Sequence, residues 1–154
     1  VTGTLYLPLT ILLSIKPKYA EEILSGVKRY ELRRGVVFKT GCRIVLYAST
    51  PIRAIIGEFT AGKVYTGKPS EVIGFVKTTR PSGVTEEDIS YIAGKKCRVS
   101  AIEVTNPIRY KNVVTLSELR ELGLQNPPRS YIVLRPENPI HAGILRLLGE
   151  LINL

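Results

Sequence analysis

Apolar and polar positions alternate from Thr10 to Lys16, with Ile11, Leu13 and Ile15 on one face, and this period predicts a strand. Pro17 suits the first turn of a helix, and Tyr19, Ala20, Ile23 and Leu24 form its apolar stripe. Glu21 and Glu22 lie early in it, and Gly26 stands where a left-handed C-cap belongs. Residues 28–34 read as the next strand. Arg43 to Ala48 holds the continuous run Ile44, Val45, Leu46, expected of a strand buried on both faces. Ala54 to Phe59 predicts another, with Gly57 as a bulge or point of close approach.

Further along, the pattern turns more helical. Pro69 to Val76 predicts a short helix. Thr85 with Asp88 makes a capping box for a helix that stops at Gly94, and Cys97 to Val104 follows as a strand. Thr115 with Glu118 caps a helix running through Leu122 to Gly123. Pro127-Pro128 leads into a strand at Ser130 to Leu134, and Asn138 caps a final helix from Pro139 to Leu154. This order predicts an α+β chain built as a small mixed barrel rather than a doubly wound sheet. With no repeat, low-complexity run or convincing linker, residues 1–154 read as a single domain.

Composition sharpens the expected partner. Lys and Arg outnumber Asp and Glu by 22 − 13 = 9, which favours a polyanion over a neutral ligand. Lys28, Arg29, Arg33, Arg34, Lys39 and Arg43 cluster in sequence with only Glu31 against them. The apolar run from Leu5 to Ile15 is broken by Pro8 and Thr10, and no segment reaches the ~20 apolar residues that span a bilayer. No signal peptide opens the chain, so a cytoplasmic protein without a membrane partner is expected. The absence of methionine, a single glutamine and the abundance of proline lean toward a thermophile. Cys42, Cys97 and His141 lack the spacing and number of a zinc site, so no metal or other cofactor is expected. The two cysteines read as small buried hydrophobes, and His141 receives no role.

Candidate chemistry concentrates in Gly26-Val27-Lys28-Arg29-Tyr30-Glu31-Leu32-Arg33. Strand alternation puts Arg29, Glu31 and Arg33 on one face. Lys28 joins Glu31 only from the turn after Gly26 or through a bulge. Glu31 can hold Lys28 or Arg33 in place and leave other N–H donors for a phosphate or a base edge. The plain alternative is a solvated ion pair contributing under about 1 kcal/mol.

Gly26-x-Lys28-x-x-Glu31-x-Arg33 resembles the GxKxxExR pattern of the ASCH domain family in the PUA-like superfamily. The likeness extends through Lys16-Pro17-Lys18-Tyr19-Ala20-Glu21, Ile44 to Pro51, and Ala54 to Phe59 as in archaeal members. Pro127-Pro128-Arg129-Ser130-Tyr131 is similar to the PPxS segment of those proteins. It covers roughly residues 10–135 and leaves residues 136–154 as a C-terminal helical extension. The resemblance implies a PUA-like mixed β-barrel with short peripheral helices and an RNA-binding cleft beside the first helix. Lys28, Glu31 and Arg33 would line that cleft, with Ser49, Thr50 and Ser130 approaching it. Lys16, Arg29 and Arg34 complete the expected RNA-binding set, and Lys28, Glu31 and Ser130 are the catalytic candidates.

Some members are enzymes. Small bacterial ones are amidohydrolases of acylated cytidines that use Lys-x-x-Thr, and here Glu31 stands where the threonine would be. Other members are ribonucleases. The expected partner is thus RNA, single-stranded or structured, or a nucleotide, and the alternative function is an enzyme on RNA or a modified nucleoside in the same cleft. A third reading is an interaction module. Ile140, Ile144, Leu147, Leu148 and Leu151 form an apolar stripe widened by Leu145, Ile152 and Leu154, suited to the chain's own core or to a homodimer contact.

Overall fold

A computed structural model of the protein describes residues 8–152, with side chains through residue 150. Leu5, Leu154 and the side chains of Leu151 and Ile152, which the sequence assigns to apolar runs, lie outside the described residues. The elements run β1 (Thr10–Ile15), α1 (Pro17–Leu24), β2 (Tyr30–Arg34), β3 (Arg43–Ala48), β4 (Ala54–Gly67), α2 (Pro69–Thr78), α3 (Glu86–Ile92), β5 (Val99–Thr115), α4 (Leu116–Glu121), β6 (Tyr131–Leu134) and α5 (Pro139–Ile152). They form one mixed sheet in the order β2-β5-β4-β3-β1-β6. Among the described strands only β1 and β3 pair in parallel, joined by a crossover that carries α1. This is an α+β fold whose sheet curls into a half-barrel.

Burial explains the curl. In β1, Ile11, Leu13 and Ile15 pack with Ala20 and Ile23 of α1 in one cluster, while Leu12 enters another with Ile144 and Leu148 of α5. β3 divides likewise: Ile44 and Leu46 go to the first cluster, Val45 and Tyr47 to the second. The central strands are therefore covered on both faces, as the run Ile44-Val45-Leu46 predicts. A third cluster sets Tyr30 and Leu32 of β2 against Val72 and Val76 of α2 and Ile92 of α3. Fully burying a Leu- or Ile-sized side chain is worth about 1.5–3 kcal/mol, so these alternating runs fix the register of each strand.

β4 and β5 are much longer than the sequence predicts. Their outer arms, Thr60–Gly67 and Thr105–Val114, carry many polar and exposed residues, and strand pairing rather than apolar periodicity holds them. Gly57 sits at the expected irregularity, where the pairing with both neighbouring strands shifts. A Cβ there would lie 2.5 Å from the Ile108 carbonyl oxygen.

The C-terminal helix docks on its own domain. Ile144 and Leu148 are buried and Leu145 and Leu147 are partly buried against the second cluster. Arg43 leaves the basic cluster to join this dock. It forms a fork to both oxygens of Glu58 at 2.9 and 2.7 Å, and its Nη2 reaches the Leu148 carbonyl oxygen at 3.4 Å. Tyr110 also donates to Glu58. Burial and then the Glu58 carboxylate push the Tyr110 hydroxyl far above its ordinary pKa.

Cys42 is buried as expected, whereas Cys97 is exposed, because it precedes β5 in a polar loop; both are free thiols. His141 accepts from the Arg135 N–H at 3.0 Å, which locks the start of α5 to the end of β6.

Candidate functional site

The two edge strands of the sheet, β2 and β6, approach each other where the half-barrel fails to close. Arg33 spans that seam. Its side chain points away from Tyr30 and Leu32, as strand parity requires, and reaches toward β1 and the segment before β6. Nε donates to Glu31 Oε2 at 2.9 Å, Nη2 to the Ser14 carbonyl oxygen at 2.9 Å, and Nη1 to Ser130 Oγ at 3.4 Å. Ser14 is itself tied to the PPxS-like segment: its hydroxyl donates to the Pro128 carbonyl oxygen at 2.6 Å and its N–H to that of Ser130 at 2.9 Å.

Beneath Glu31 lies Lys28, only 1% exposed. Residues 28–34 read as a strand, but β2 begins at Tyr30, and Lys28 sits on the turn after the positive-φ Gly26, one of the two placements that let it join Glu31. From there Nζ donates to Asp88 Oδ1 at 2.6 Å, lies 3.7 Å from Glu31 Oε1, and stands 4.9 Å from the centre of the Tyr19 ring. A lone buried ammonium would be prohibitively costly; two carboxylates and an aromatic face make it tenable. The other oxygen of Asp88 accepts from the Thr85 N–H at 2.9 Å, so the capping box of α3 also supplies the partner of Lys28. Gly83 lets the preceding loop close over this turn. Its φ is +71°, and a Cβ there would lie 2.1 Å from the Val27 carbonyl oxygen. The Arg29 N–H donates to the Ser82 carbonyl oxygen at 2.9 Å beside it.

Ser14, Glu31, Arg33 and Asp88 help wall a cleft of about 350 Å³, while Lys28 and Ser130 stand behind its lining. It runs from Lys16 and Tyr19 past Glu31, Arg33 and Ser49 to Asp88, Tyr91 and Arg129. Lys16 and Arg129 are exposed at its mouth. Lys16 Nζ lies 3.6 Å from Glu87 Oε1. The Tyr19 hydroxyl is buried and by strict geometry has no hydrogen-bond partner among the described residues. Burial raises its pKa well above the ordinary tyrosine value, and nearby Glu87 adds to the shift. The Glu87 carboxyl is lowered in turn, chiefly by Tyr19 and then by Lys16.

Several expectations need correction. The six clustered cations do not form one open basic patch: Lys28, Arg33 and Arg43 are each paired with carboxylates. Arg29 has the parity of Glu31 but precedes the strand and projects to solvent away from the cleft lining. Thr50 is likewise exposed and outside the lining, unlike its neighbour Ser49. Arg34 stacks on Tyr91 with its guanidinium 4.6 Å from the ring centre, so it touches the cleft only through that ring. Asp88, Tyr19, Tyr91, Glu87, Ser14 and Arg129 line the site without having been singled out for it. Tyr19 and Arg129 stood within the quoted motifs, but their exposure to the cleft is set by tertiary packing. Among the described residues no acidic, His or Cys group could hold a metal ion, and no helix is long and apolar enough to cross a membrane.

No family model matches the chain. A curated relative, an ASCH domain-containing ribonuclease from Zymomonas mobilis subsp. mobilis, is 28% identical over 128 residues, covering 81% of this chain and 84% of the relative. The crystal structure of ASCH from Zymomonas mobilis superposes with a TM-score of 0.72 at 23% identity, covering 90% of this chain and 94% of that one. The two chains share one fold. A serine-to-alanine variant of the same Zymomonas protein gives a TM-score of 0.72 at 21% identity, covering 90% of this chain and 95% of that one. The N-terminal domain of Staphylothermus marinus McrB is more distant, with a TM-score of 0.51 and 16% identity over 92% of this chain and 98% of that domain. The relative agrees with the expected resemblance to ASCH proteins, and the solved structures agree with the mixed half-barrel fold.

Proposed function

We propose that this ASCH fold binds single-stranded RNA in the seam cleft. The observation that carries the reading is the fixation of Arg33 by Glu31, Ser14 and Ser130 in the cleft wall, below exposed Lys16 and Arg129. A guanidinium has five N–H donors. Three of those of Arg33 have protein partners, which leaves one on each terminal nitrogen for a phosphate oxygen or a base edge. Such a preorganised fork loses little side-chain entropy on binding.

Lys16 and Arg129 contact the phosphates in this reading, while Tyr19 and Tyr91 flank a base. Glu31 and Asp88 offer acceptor oxygens to a base amino group, with Ser49 and Ser130 alongside. Lys28 acts as a buried post that holds Glu31 and Asp88 rather than as a phosphate contact. The ribonuclease name of the Zymomonas relative points the same way, toward RNA.

That relative also favours a second reading, cleavage. The RNA 2′-hydroxyl attacks the adjacent phosphorus, Glu31 accepts its proton, and Arg33 neutralises the gathering charge. The bond to the 5′-oxygen breaks, that oxygen takes a proton from a water molecule that in turn recovers one from Glu31, and a 2′,3′-cyclic phosphate remains. Titration of labelled single-stranded RNA over a salt series tests binding, and gel analysis of the same RNA tests cleavage. Affinity should fall as salt rises, because phosphate contacts release counterions. Affinity indifferent to salt, or unchanged by Lys16→Ala with Arg129→Ala, contradicts the cleft as an RNA site.

A further inference from the structure

A second concavity, about 490 Å³, opens between the start of α2 and the loop joining α3 to β5. Its charged lining is Lys68, Lys95, Lys96 and Arg98, with no carboxylate. All four are exposed, and none belongs to an ion pair among the described residues. The carboxylate nearest in sequence to Lys68, Glu71, has one oxygen occupied by the Lys68 backbone N–H at 2.9 Å. The seam cleft differs sharply, because Glu31, Glu87 and Asp88 balance its cations. Four unpaired cations around one groove repel one another and create a local field that a polyanion relieves.

Arg34 links the groove to the cleft. Arg34 lies opposite Val99 in the sheet, and the Gly35 N–H donates to the Arg98 carbonyl oxygen at 2.9 Å. The Arg34 side chain covers the ring of Tyr91, which lines the cleft. α3 and its loop thus carry one surface from Glu87 and Tyr91 to Lys95, Lys96 and Arg98.

We propose that this groove holds the sugar–phosphate backbone of the RNA strand whose neighbouring nucleotide occupies the seam cleft, with Arg34 and Tyr91 at the crossing. It rests on the cleft reading above and divides the labour: the groove supplies sequence-blind phosphate affinity, and the cleft receives a base. Cys97 serves as a built-in reporter, since it stands exposed in the groove while Cys42 is buried.

The test uses the full chain and a labelled single strand of about ten nucleotides. Lys95→Ser with Lys96→Ser, at exposed positions outside the cleft, should weaken binding about ten-fold and make the log–log salt slope shallower by about 1.4. RNA should also protect Cys97 from maleimide. Unchanged affinity and slope with an unprotected Cys97 overturn the groove, and equal protection by polyglutamate overturns its assignment to a phosphate backbone. Loss of binding in Lys16→Ala/Arg129→Ala but not in the groove variant also overturns the groove while leaving the cleft reading intact. The reverse pattern supports the groove and contradicts the cleft. Circular dichroism of each variant confirms the fold.

Discussion

Arg33 donates to the Ser14 carbonyl oxygen at 2.9 Å across the seam where the sheet fails to close. β2 and β1 have no backbone pairing: three strands, β5, β4 and β3, separate them in the sheet, with β2 at one edge and β1 next to the other. One guanidinium therefore braces the open side of the half-barrel and forms the wall of the cleft.

Removing that brace should destabilise the fold as well as the site. Arg33→Ala leaves the buried Glu31 carboxylate with only Lys28, at 3.7 Å, so unfolding free energy should fall by about 3 kcal/mol. Arg33→Lys keeps the charge but not the fork, and should recover part of that loss. Urea unfolding monitored by circular dichroism checks both; equal stability of all three proteins contradicts the bracing role.

Lys28 and Asp88 should behave as a coupled pair, being 2.6 Å apart and both buried. Asp88→Ala also removes the partner of the Thr85 N–H, so its cost should reach about 3 kcal/mol or more. In a double-mutant cycle, Lys28→Met with Asp88→Leu should cost less than the sum of the two single changes. Strict additivity in denaturant titrations excludes the coupling.

Gly83 and Gly74 should respond in opposite directions to alanine. At Gly83 the new Cβ meets the Val27 carbonyl oxygen at 2.1 Å and the Lys28 Cα at 2.7 Å, so Gly83→Ala should lower stability by more than about 1 kcal/mol. Gly74 lies inside α2 with nothing within 4 Å of its Cβ position, and Gly74→Ala should raise stability by up to about 1 kcal/mol. Melting temperatures of the two variants settle this directly.

Stability should decline at alkaline pH. Burial raises the folded-state pKa of Tyr110, with Glu58 adding to it, while the unfolded chain titrates near the ordinary tyrosine value of about 10. The stabilising contribution is therefore complete below about pH 10 and is lost as pH rises toward the folded pKa. Tyr110→Phe should be less stable at neutral pH but lose less between neutrality and high pH. Parallel stability–pH curves for the two proteins contradict this linkage.

What the sequence disclosed was mostly local. The capping boxes at Thr85 and Thr115, the positive-φ Gly26 and the opposite faces of Glu31 and Leu32 depend on a few neighbouring residues. Asp88 was legible as a cap but not as the partner of Lys28, because that contact joins positions 60 apart in the chain. The basic cluster looked open because Asp88 and Glu58 are brought in by folding. Arg43 shows this most clearly: it follows the motif in sequence yet lies with Glu58 against α5. The outer arms of β4 and β5 escaped detection because long-range pairing sustains strands whose own apolar pattern is weak.

The most direct test of the seam cleft as an RNA site is ultraviolet crosslinking of single-stranded RNA to the full chain, followed by mass spectrometry of the modified peptides. Crosslinks should fall on Tyr19 and Tyr91, which line the cleft, and should diminish in Lys16→Ala/Arg129→Ala. Crosslinks confined to peptides outside the cleft, such as that of Tyr65 on β4, and undiminished in that variant, would contradict the cleft as an RNA site.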